Sequence, residues 1–402
     1  MATINRRMFA RQIAQYSFGG VLSLNGYSLL KGGMQGGLAL AQENARDSVK
    51  PDLYFHPGDP RNGEPALAKL VETWMTPVSQ FYVRSHGLNP KIDLANYRVR
   101  IEGLVDHPGS WTLNELAAKL PLVSVTCTLT CAGNRRSEHS QMKPVGGVQW
   151  REGAIGNAKW EGYKLSDVLQ AAGIQEGARH VWFEGVDEVK DGNSVFPFGG
   201  SVPLAKVFDE QDGVAGAILA TKMNGEVLTE DHGFPIRTVV PGYIGARSVK
   251  WLGKIVVSDR PSPNHFVQDV YKMLQADTAV QRDEAAPIYR YPVNSVTCLT
   301  EQVTGAKATV KVRGYALPTG LAANRIKRVE LSIDGGRNWR DATLGSEAAD
   351  YCWQLWEGEI GLSGKPTELL VRATDSAGYQ QPERVIWHPK GYLYNGWHRT
   401  TL

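Results

Sequence analysis

The feature that most constrains this chain is a cysteine at the end of an apolar run. Cys131 follows Val123–Leu129, whose composition is typical of a strand, and precedes Gly133-Asn134 and the pair Arg135-Arg136. The strand would hold the sulfur rigidly, and the turn would open space in front of it. Nearby guanidinium groups favour the thiolate, which is the form that acts as a nucleophile or metal ligand. Taken alone, such a cysteine is more often an inert buried thiol.

The hexapeptide Cys131–Arg136 resembles the signature of the sulfite oxidase family of molybdopterin enzymes, in particular the haem-free molybdenum subunit of bacterial periplasmic sulfite dehydrogenases. Further stretches match in the same order from about residue 80 to the C-terminus. The resemblance implies that Cys131 binds molybdenum beside the two sulfurs of the pterin cofactor, and a soft thiolate suits such a metal. It also implies an α+β molybdopterin-binding domain of the sulfite oxidase fold, followed by an all-β immunoglobulin-like sandwich.

The first 41 residues have the composition of an export signal. They contain Arg6, Arg7, Arg11 and Lys31 but no acidic residue, and a weakly apolar stretch leads to Ala39-Leu40-Ala41. The paired arginines resemble a twin-arginine signal, although an ordinary amphipathic helix is an alternative. We therefore expect residues 1–41 to be removed and the folded protein to reach the periplasm, because the twin-arginine route carries proteins already loaded with cofactor.

Removing this segment changes the charge of the chain. The whole sequence carries a formal net charge of +3 and the first 41 residues carry four positive charges, so the mature protein carries about −1. This balance gives no reason to expect nucleic acid as a partner. No apolar run reaches the ~18 residues that a membrane span needs, so none is expected in the mature chain.

The other three cysteines show no cofactor motif. Cys127 lacks the Gly-Asn-Arg-Arg that follows Cys131, so we interpret it as structural. Cys298 and Cys352 fall in one predicted domain, and their spacing leaves a disulfide and two buried thiols as equal alternatives. Neither Cys-x-x-Cys nor Cys-x-x-Cys-His occurs, so we expect no haem, zinc knuckle or iron–sulfur cluster in this chain.

The pattern of predicted elements changes at about residue 286, from mixed helices and strands to strands, and this predicts two domains after the signal. Residues 42–285 mix short strands with short helices and form the predicted molybdopterin-binding domain. The elements predicted there are helices at Leu113–Lys119 and Leu165–Ala172, and strands at Tyr97–Glu102, Val123–Leu129, His180–Glu184 and Arg247–Ser258.

Residues 286–402 are predicted to form the immunoglobulin-like sandwich. The strands predicted there are Val310–Tyr315, Ile326–Ile333, Trp353–Ile360 and Glu368–Asp375, separated by Gly-containing turns. The resemblance implies that this domain dimerises. Trp353 and Trp356 are interpreted as exposed aromatic residues at that dimer interface.

Arg84 is the first candidate site residue outside the cysteine motif. It lies in Phe81–His86, where it is interpreted as alternating out of an apolar strand beside a polar turn. A guanidinium offers a fork of donors that matches an oxyanion, although a surface salt bridge is an equal alternative. The resemblance implies that Arg84 lines the substrate pocket and that Tyr82, Ser85 and His86 contact the cofactor.

A second group of basic residues lies among glycines in His232–Arg237 and Val239–Trp251. Glycines let backbone amides approach a phosphate, although a single histidine such as His232 is more often a core residue. The resemblance implies contacts with the pterin phosphate, two of them through the backbones of Ser248 and Val249, and one residue near the pterin ring. The residues concerned are His232, Arg237, Ser248, Val249 and Lys250, with Asp187 near the ring.

Two candidates complete the predicted catalytic set. Tyr271 follows Val270 and is, taken alone, more often a packed tyrosine; the resemblance implies that it faces the metal, where its hydroxyl would help proton release. Lys390 lies in Lys390–Leu393, which resembles the closing motif of the family, but the animal enzymes have an arginine there. Lysine keeps the charge and loses the bidentate fork, so its part in substrate binding stays open.

The resemblance implies an exported molybdenum-dependent sulfite dehydrogenase. Sulfite would be the substrate, a separate c-type cytochrome would accept the electrons, and the protein would be a homodimer. The alternatives are a sulfane-sulfur dehydrogenase subunit of a thiosulfate-oxidising complex, a nitrate or sulfoxide reductase, and a binding protein that keeps the fold without catalysis.

Overall fold

The structure is a computed structural model, and it describes residues 52–402 apart from 211–212, 304–307 and 363–367. The predicted export signal lies outside the described residues. Within the described part, no helix is both long and apolar enough to cross a membrane.

The N-terminal domain contains fourteen described strands and five described short α-helices. The strands are β1 (Leu53–Phe55), β2 (Gly63–Pro65), β3 (Val99–Gly103), β4 (Gly109–Trp111), β5 (Val123–Thr130), β6 (Ile155–Lys164), β7 (His180–Gly185), β8 (Val189–Asp191), β9 (Ser194–Phe196), β10 (Gly199–Pro203), β11 (Ile218–Met223), β12 (Glu226–Val227), β13 (Arg237–Val239) and β14 (Leu252–Ser258). The helices are α1 (Leu113–Lys119), α2 (Arg136–Met142), α3 (Leu165–Ala172), α4 (Leu204–Val207) and α5 (Ala279–Glu284). Single helical turns occur at Leu67–Val71, Val78–Gln80, Glu230–His232, Gly245–Arg247 and Phe266–Val270.

Two sheets form the layers of this domain. One has the order β10-β7-β14-β3-β4, and the other has the order β12-β11-β6-β5 with β13 beside β11. Burial alternates along β7, so one of its faces packs into the core, as expected for a half-buried strand. Phe183 of β7, Leu219 of β11 and Leu169 of α3 belong to one buried cluster, which joins the two sheets and the helix.

Helices α1 and α3 occupy the residues predicted for them. Thr112 caps α1 through a capping box in which its hydroxyl accepts from the Glu115 backbone and the Glu115 carboxylate accepts from the Thr112 backbone. The strand predicted at Arg247–Ser258 is wrong over its first residues, because Gly245–Arg247 forms a helical turn and Trp251 has a φ of 48°. Strand β14 therefore begins at Leu252.

Strands β5 and β6 determine where Cys131 lies. They pair antiparallel over the whole of β5, from Val123 opposite Gly162 to Thr130 opposite Ile155. The backbone N–H of Cys131 then donates to the carbonyl of Ala154 at 2.9 Å, which fixes the residue just beyond the end of the sheet. The strand prediction was confirmed here and extends by one residue to Thr130.

The C-terminal domain consists of two four-stranded sheets. Its strands are β15 (Asn294–Val303), β16 (Thr309–Leu317), β17 (Ile326–Ser332), β18 (Arg340–Asp341), β19 (Thr343–Leu344), β20 (Gln354–Gly361), β21 (Glu368–Asp375) and β22 (His398–Thr401). The sheet orders are β15-β16-β20-β19 and β18-β17-β21-β22. Val312 and Trp356 of the first sheet share a buried cluster with Leu331 and Val371 of the second. The predicted sandwich is confirmed, because both sheets bury their inner faces against each other.

The interpretation of Trp353 and Trp356 as exposed interface residues is wrong. Both are buried, with exposed fractions of 0% and 2%. The indole of Trp353 stacks on Tyr315. It also donates to the carbonyl of Trp74 at 2.9 Å, while the Trp74 indole donates to the Trp353 carbonyl at 3.0 Å. Because the ring and the indole N–H of Trp353 are both engaged inside the protein, this residue cannot also contact another subunit.

All four cysteines are free thiols. The thiol of Cys352 donates to the Thr126 carbonyl at 3.3 Å, and that of Cys298 donates to the Val296 carbonyl at 3.9 Å. Of the two alternatives, the structure therefore has separate thiols, and burial raises the pKa of both.

Candidate active site

Eleven of the thirteen predicted site residues line a single cavity. Its empty volume is about 660 Å³, including its opening to solvent. The predicted residues on its walls are Tyr82, Arg84, Ser85, His86, Cys131, Asp187, His232, Arg237, Ser248, Lys250 and Tyr271. These residues come from motifs that are far apart in the sequence, and the fold brings them together around one cavity.

The Cys131 thiol lies at the wall of this cavity. Its Sγ accepts a hydrogen bond from the backbone N–H of Gly133 at 3.4 Å, made by the turn that follows the strand. Cys127 differs from Cys131 in its position, its exposure and the pKa of its thiol. It lies within β5 with no exposed surface, it does not line the cavity, and burial raises its thiol pKa to about 12. The structural interpretation of Cys127 agrees with this placement.

The two arginines after the turn do not line the cavity, contrary to their predicted role beside the thiol. Arg135 is fully buried and points toward the C-terminal domain, where its guanidinium donates to Asn294 Oδ1 at 2.7 Å and to the Gly396 carbonyl at 2.9 Å. Arg136 donates to the carbonyls of Lys390 and Val148. The chain leaves the turn with Arg135 in the left-handed region at φ 66°.

The positive charge on the walls of the cavity comes from Arg84, Arg237 and Lys250. Arg84 is not part of a strand, contrary to the prediction, and only Val83 forms an isolated bridge with Gly63. Its Nη1 donates to Asn62 Oδ1 at 3.1 Å and to the Ser85 carbonyl, and its Nη2 donates to His86 Nε2 at 2.8 Å. The guanidinium is therefore held in place by neutral acceptors and keeps its charge available to an anion.

Tyr271 contacts the same histidine. Its hydroxyl lies 3.1 Å from His86 Nε2, and its ring stacks on Tyr392 at a centroid distance of 5.1 Å. Burial raises the pKa of the Tyr271 phenol, and the Arg84 guanidinium opposes that shift. The phenol is thus protonated and can donate a hydrogen bond to a molecule in the cavity.

Arg237 and Lys250 supply a second cationic group. Arg237 donates to the carbonyls of His232 and Ser248 at 3.0 and 2.9 Å. Lys250 donates to Ser85 Oγ at 2.7 Å and to the Asp231 carbonyl at 2.9 Å. Burial lowers the pKa of Lys250 to about 7 and that of Arg237 to about 10, because each charged form is taken out of water.

Tyr82 and Asp187 complete the predicted cofactor contacts. A Cβ at Gly245 would lie 2.7 Å from the Tyr82 hydroxyl, so a larger residue there would require the Tyr82 side chain to shift. Asp187 Oδ1 accepts from the Phe198 backbone at 3.2 Å, and burial raises the pKa of its carboxyl. Both residues line the cavity as expected.

Two predicted site residues are placed elsewhere. Val249 is fully buried outside the cavity, and its backbone N–H donates to Thr238 Oγ1 at 2.7 Å, so this amide is already engaged. Lys390 does not line the cavity either, because its ammonium pairs with the Asp277 carboxylate at 2.7 Å. Neither Val249 nor Lys390 therefore lies on the wall of this cavity, and the roles predicted for them stay predictions.

Comparison with known proteins identifies the family. Residues 86–266 match the model of the oxidoreductase molybdopterin binding domain, and residues 285–402 match that of the Mo-co oxidoreductase dimerisation domain. Sulfite oxidase of Arabidopsis thaliana is 39% identical over 92% of this chain and 98% of its own length. The chain belongs to the sulfite oxidase family. Sulfite oxidase of Gallus gallus is 38% identical over 90% of this chain and 81% of its own length.

A solved structure shares the whole architecture of this family member. The sulfane dehydrogenase SoxCD from Paracoccus pantotrophus matches with a TM-score of 0.72 and 25% sequence identity, over 99% of this chain and 96% of that chain. The protein is thus a molybdenum oxidoreductase of the sulfite oxidase type, with a molybdopterin-binding domain followed by a sheet-rich dimerisation domain.

The residues of the cavity fit a molybdenum–pterin cofactor. Cys131 offers one soft sulfur ligand at the wall. Arg237 and Lys250 are cations on the wall of the cavity, and their hydrogen bonds go to carbonyls and a hydroxyl, which carry no full negative charge. A phosphate placed between them would supply the missing negative charge.

Several supporting residues were missed from the sequence. Asn62 is buried, and its Oδ1 accepts from both Arg84 and the Ser85 backbone. Phe198 stacks on His86 at 4.6 Å between ring centroids. Neither lies in a recognisable motif, so no signal in the sequence could have found them. Tyr392 could have been found, because it lies in the same C-terminal stretch as Lys390.

Proposed function

We propose that this protein oxidises sulfite to sulfate in the periplasm and passes the electrons to a separate c-type cytochrome. The observation that carries the proposal is that Cys131, Arg84 and Tyr271 line one cavity, with a thiol, a fixed cation and a protonated phenol. When bound, the molybdenum cofactor supplies a centre that accepts two electrons.

Arg84 binds the substrate in this proposal. Sulfite is a small oxyanion, and a guanidinium fixed by Asn62 and His86 presents its charge in one orientation. Tyr271 donates a hydrogen bond to an oxygen of sulfite or of sulfate. Arg237 and Lys250 hold the cofactor through its phosphate and leave Arg84 free for the substrate.

Electron acceptor and location rest on sequence features. The chain contains no Cys-x-x-Cys-His motif for covalent haem, and this supports a separate c-type cytochrome as the acceptor. The paired Arg6 and Arg7 support export, and a double Arg6→Lys, Arg7→Lys variant should stay in the cytoplasmic fraction. We expect the contact between this protein and the cytochrome to be transient and its interface to be small, as is usual for electron-transfer complexes.

A dimer is part of the same proposal. The match of residues 285–402 to a dimerisation domain supports it, whereas the buried Trp353 and Trp356 do not. Light scattering at micromolar concentration should give twice the mass of one mature chain, and a monomer would refute this part of the proposal.

Oxidation of a sulfane sulfur is the second candidate, favoured by the match to the sulfane dehydrogenase SoxCD. An activity panel decides between the two. Purified molybdenum-loaded protein is mixed with sulfite or thiosulfate and with ferricyanide, cytochrome c or oxygen as the electron acceptor. In a separate assay it is mixed with nitrate and a chemical electron donor. Sulfite oxidation with cytochrome c reduced faster than oxygen is the expected result. Turnover of thiosulfate alone would favour the second candidate, and faster reoxidation by oxygen would make the protein an oxidase.

A further inference from the structure

We propose that Arg247, a buried cation behind the wall of the cavity, strengthens the binding of an oxyanion at Tyr271. Arg247 does not line the cavity itself, although its neighbours Ala246 and Ser248 do. It acts from behind Tyr271 and is therefore a positioning residue. The proposal rests on the proposed function, because it concerns the anion that the same cavity would bind.

The guanidinium of Arg247 is buried without an anionic partner. The residue has no exposed surface. Its Nε donates to the Ile288 carbonyl at 2.9 Å and its Nη2 donates to the Tyr271 carbonyl at 3.2 Å, while Nη1 has no hydrogen-bond partner. Among the described residues, no carboxylate forms an ion pair with it. Because carbonyls carry no full charge, the positive charge of Arg247 stays uncompensated.

A second buried arginine shows why this arrangement is unusual. Arg135 also has no exposed surface, but Glu138 pairs with it at 2.6 Å. Taking a charge out of water without such a partner costs free energy, and proteins therefore pair most buried charges. An unpaired cation directly behind a binding cavity indicates that a ligand in the cavity supplies the missing negative charge.

Tyr271 lies between this charge and the cavity. The guanidinium carbon of Arg247 lies 5.9 Å from the centroid of the Tyr271 ring, and Tyr271 lines the cavity. An anion that accepts a hydrogen bond from the Tyr271 hydroxyl would therefore lie roughly 10 Å from the guanidinium. At an effective dielectric constant of about 20, opposite unit charges at that separation change an affinity roughly 15-fold before salt screens them.

The titration of the two groups agrees with a charge that reaches the phenol. Burial lowers the pKa of Arg247 to about 10, so its guanidinium is still charged at neutral pH. Burial raises the pKa of the Tyr271 phenol, and the positive charges of Arg84, Arg136 and Arg247 oppose that shift. Arg247 thus adds to the positive potential that Arg84 provides inside the cavity.

The hydrogen bonds of Arg247 keep this charge at a fixed place relative to Tyr271. The backbone N–H of Ile288 donates to the Tyr271 carbonyl at 2.8 Å, so Arg247 bonds to both residues of a pair that is itself hydrogen-bonded. The backbone N–H of Arg247 donates to the Ile244 carbonyl at 2.9 Å, which closes the helical turn Gly245–Arg247. The cation is therefore held from both ends of its side chain.

Three variants separate the charge of Arg247 from its hydrogen bonds. Arg247→Gln keeps a donor and removes the charge, whereas Arg247→Lys keeps the charge. Arg135→Gln is the matched control, because it removes an equally buried guanidinium that has a carboxylate partner and does not line the cavity. Each molybdenum-loaded protein is titrated with inorganic sulfate by isothermal calorimetry, and Arg84→Gln identifies the heat that comes from the cavity.

We expect Kd for sulfate to rise about 3- to 15-fold in Arg247→Gln and less than about 2-fold in Arg247→Lys. Arg135→Gln should bind sulfate like the wild type. KM for sulfite should rise with Kd while kcat changes less, because the charge acts on bound substrate and transition state alike. Unchanged sulfate affinity in Arg247→Gln would overturn the proposal, as would an Arg247→Lys variant as weak as Arg247→Gln.

Sulfate binding needs no turnover, so the two proposals can fail separately. If the wild type does not oxidise sulfite, the proposed function is refuted, while the sulfate titrations still decide the role of Arg247.

A second pair of variants leaves Arg247 in place. The ring of Tyr289 lies 5.4 Å from the guanidinium carbon, and Tyr289 does not line the cavity. Tyr289→Glu brings a carboxylate to Arg247 and so supplies the partner that it lacks, and Tyr289→Gln is the neutral control. We expect sulfate to bind at least about 3-fold more weakly to Tyr289→Glu than to Tyr289→Gln. Equal affinities would show that the charge of Arg247 does not reach the cavity, and would overturn the proposal even if Arg247→Gln fails to fold.

Discussion

Although Arg135 lies in the motif that contains Cys131, we expect its main contribution to be to the free energy of unfolding. Its guanidinium forms a two-pronged ion pair with Glu138 at 2.6 and 2.9 Å and also bonds to Asn294 and Gly396 in the C-terminal domain. Burial disfavours the charged form, and the Glu138 carboxylate more than offsets this and raises the pKa of Arg135. The perturbation is Arg135→Gln, which removes the charge and most of the hydrogen bonds.

The magnitude follows from the burial of the pair. The Arg135 side chain has no exposed surface, and that of Glu138 has 16%. Removing one member of a buried pair costs about 3–5 kcal/mol, and the residual access of water to Glu138 places this pair near the lower value. The entropy of unfolding grows with chain length, so for this protein about 1 kcal/mol corresponds to about 1–1.5 °C in Tm. The expected decrease in Tm is therefore about 3–5 °C.

Differential scanning calorimetry measures the Tm of Arg135→Gln, and Arg399→Gln is the control variant. Arg399 pairs with Glu368 at 2.8 Å, but these side chains are 47% and 42% exposed, and such pairs contribute about 0–1 kcal/mol. Because Arg135 connects the two domains, its loss should also broaden the unfolding transition or divide it. An Arg135→Gln variant whose Tm falls no further than that of Arg399→Gln would refute the reasoning.

Other predictions concern the cavity. Cys131→Ser should abolish sulfite oxidation, because oxygen is a poorer donor to this soft site, while Cys127→Ser should keep most activity; cytochrome c reduction and metal analysis check both. Arg84→Gln should raise KM for sulfite roughly 10- to 150-fold at normal molybdenum content, as expected for a lost charge-assisted contact, and loss of the metal instead would place Arg84 with the cofactor. The cofactor-free protein should gain stability as pH rises from about 7 to about 9. Burial lowers the folded-state pKa of Lys250 to about 7, below the value near 10.4 of an unfolded lysine, so the unfolded chain binds the extra proton in that window. Calorimetry of wild type and Lys250→Met at both pH values measures this, and an equal pH dependence in both would contradict it.

Local signals predicted local structure well. The apolar spacing of Leu113–Lys119 and of Leu165–Ala172 depends on neighbours in the sequence, and both helices have the predicted bounds. Strands β5 and β21 were predicted equally well, because apolar residues alternate with polar ones along β5 and are grouped in β21. The segment before β14 was misread because Trp251 adopts a positive φ, which its sequence does not signal.

Side-chain partners across domains could not be predicted. Arg135 and Arg136 look alike in the sequence, yet one bonds to Asn294 and the other to the Lys390 carbonyl, and only the packing of the two domains decides this. Lys390 pairs with Asp277, a residue more than a hundred positions away. Motif resemblance predicted eleven residues that line one cavity, whereas Asn62, which accepts from Arg84, belongs to no motif.

The reciprocal indole bonds between Trp74 and Trp353 have a consequence for how this protein can be taken apart. These bonds join a segment that precedes the two large sheets of the N-terminal domain to the sandwich at the C-terminal end of the chain. A cut near residue 285 therefore separates the two domains in the sequence but also breaks contacts that the sandwich makes with the N-terminal segment. A C-terminal fragment cut there would present the bare indole of Trp353 to water. Grafting this sandwich onto a relative therefore requires transplanting the helical turn and loop around residues 67–76 with it.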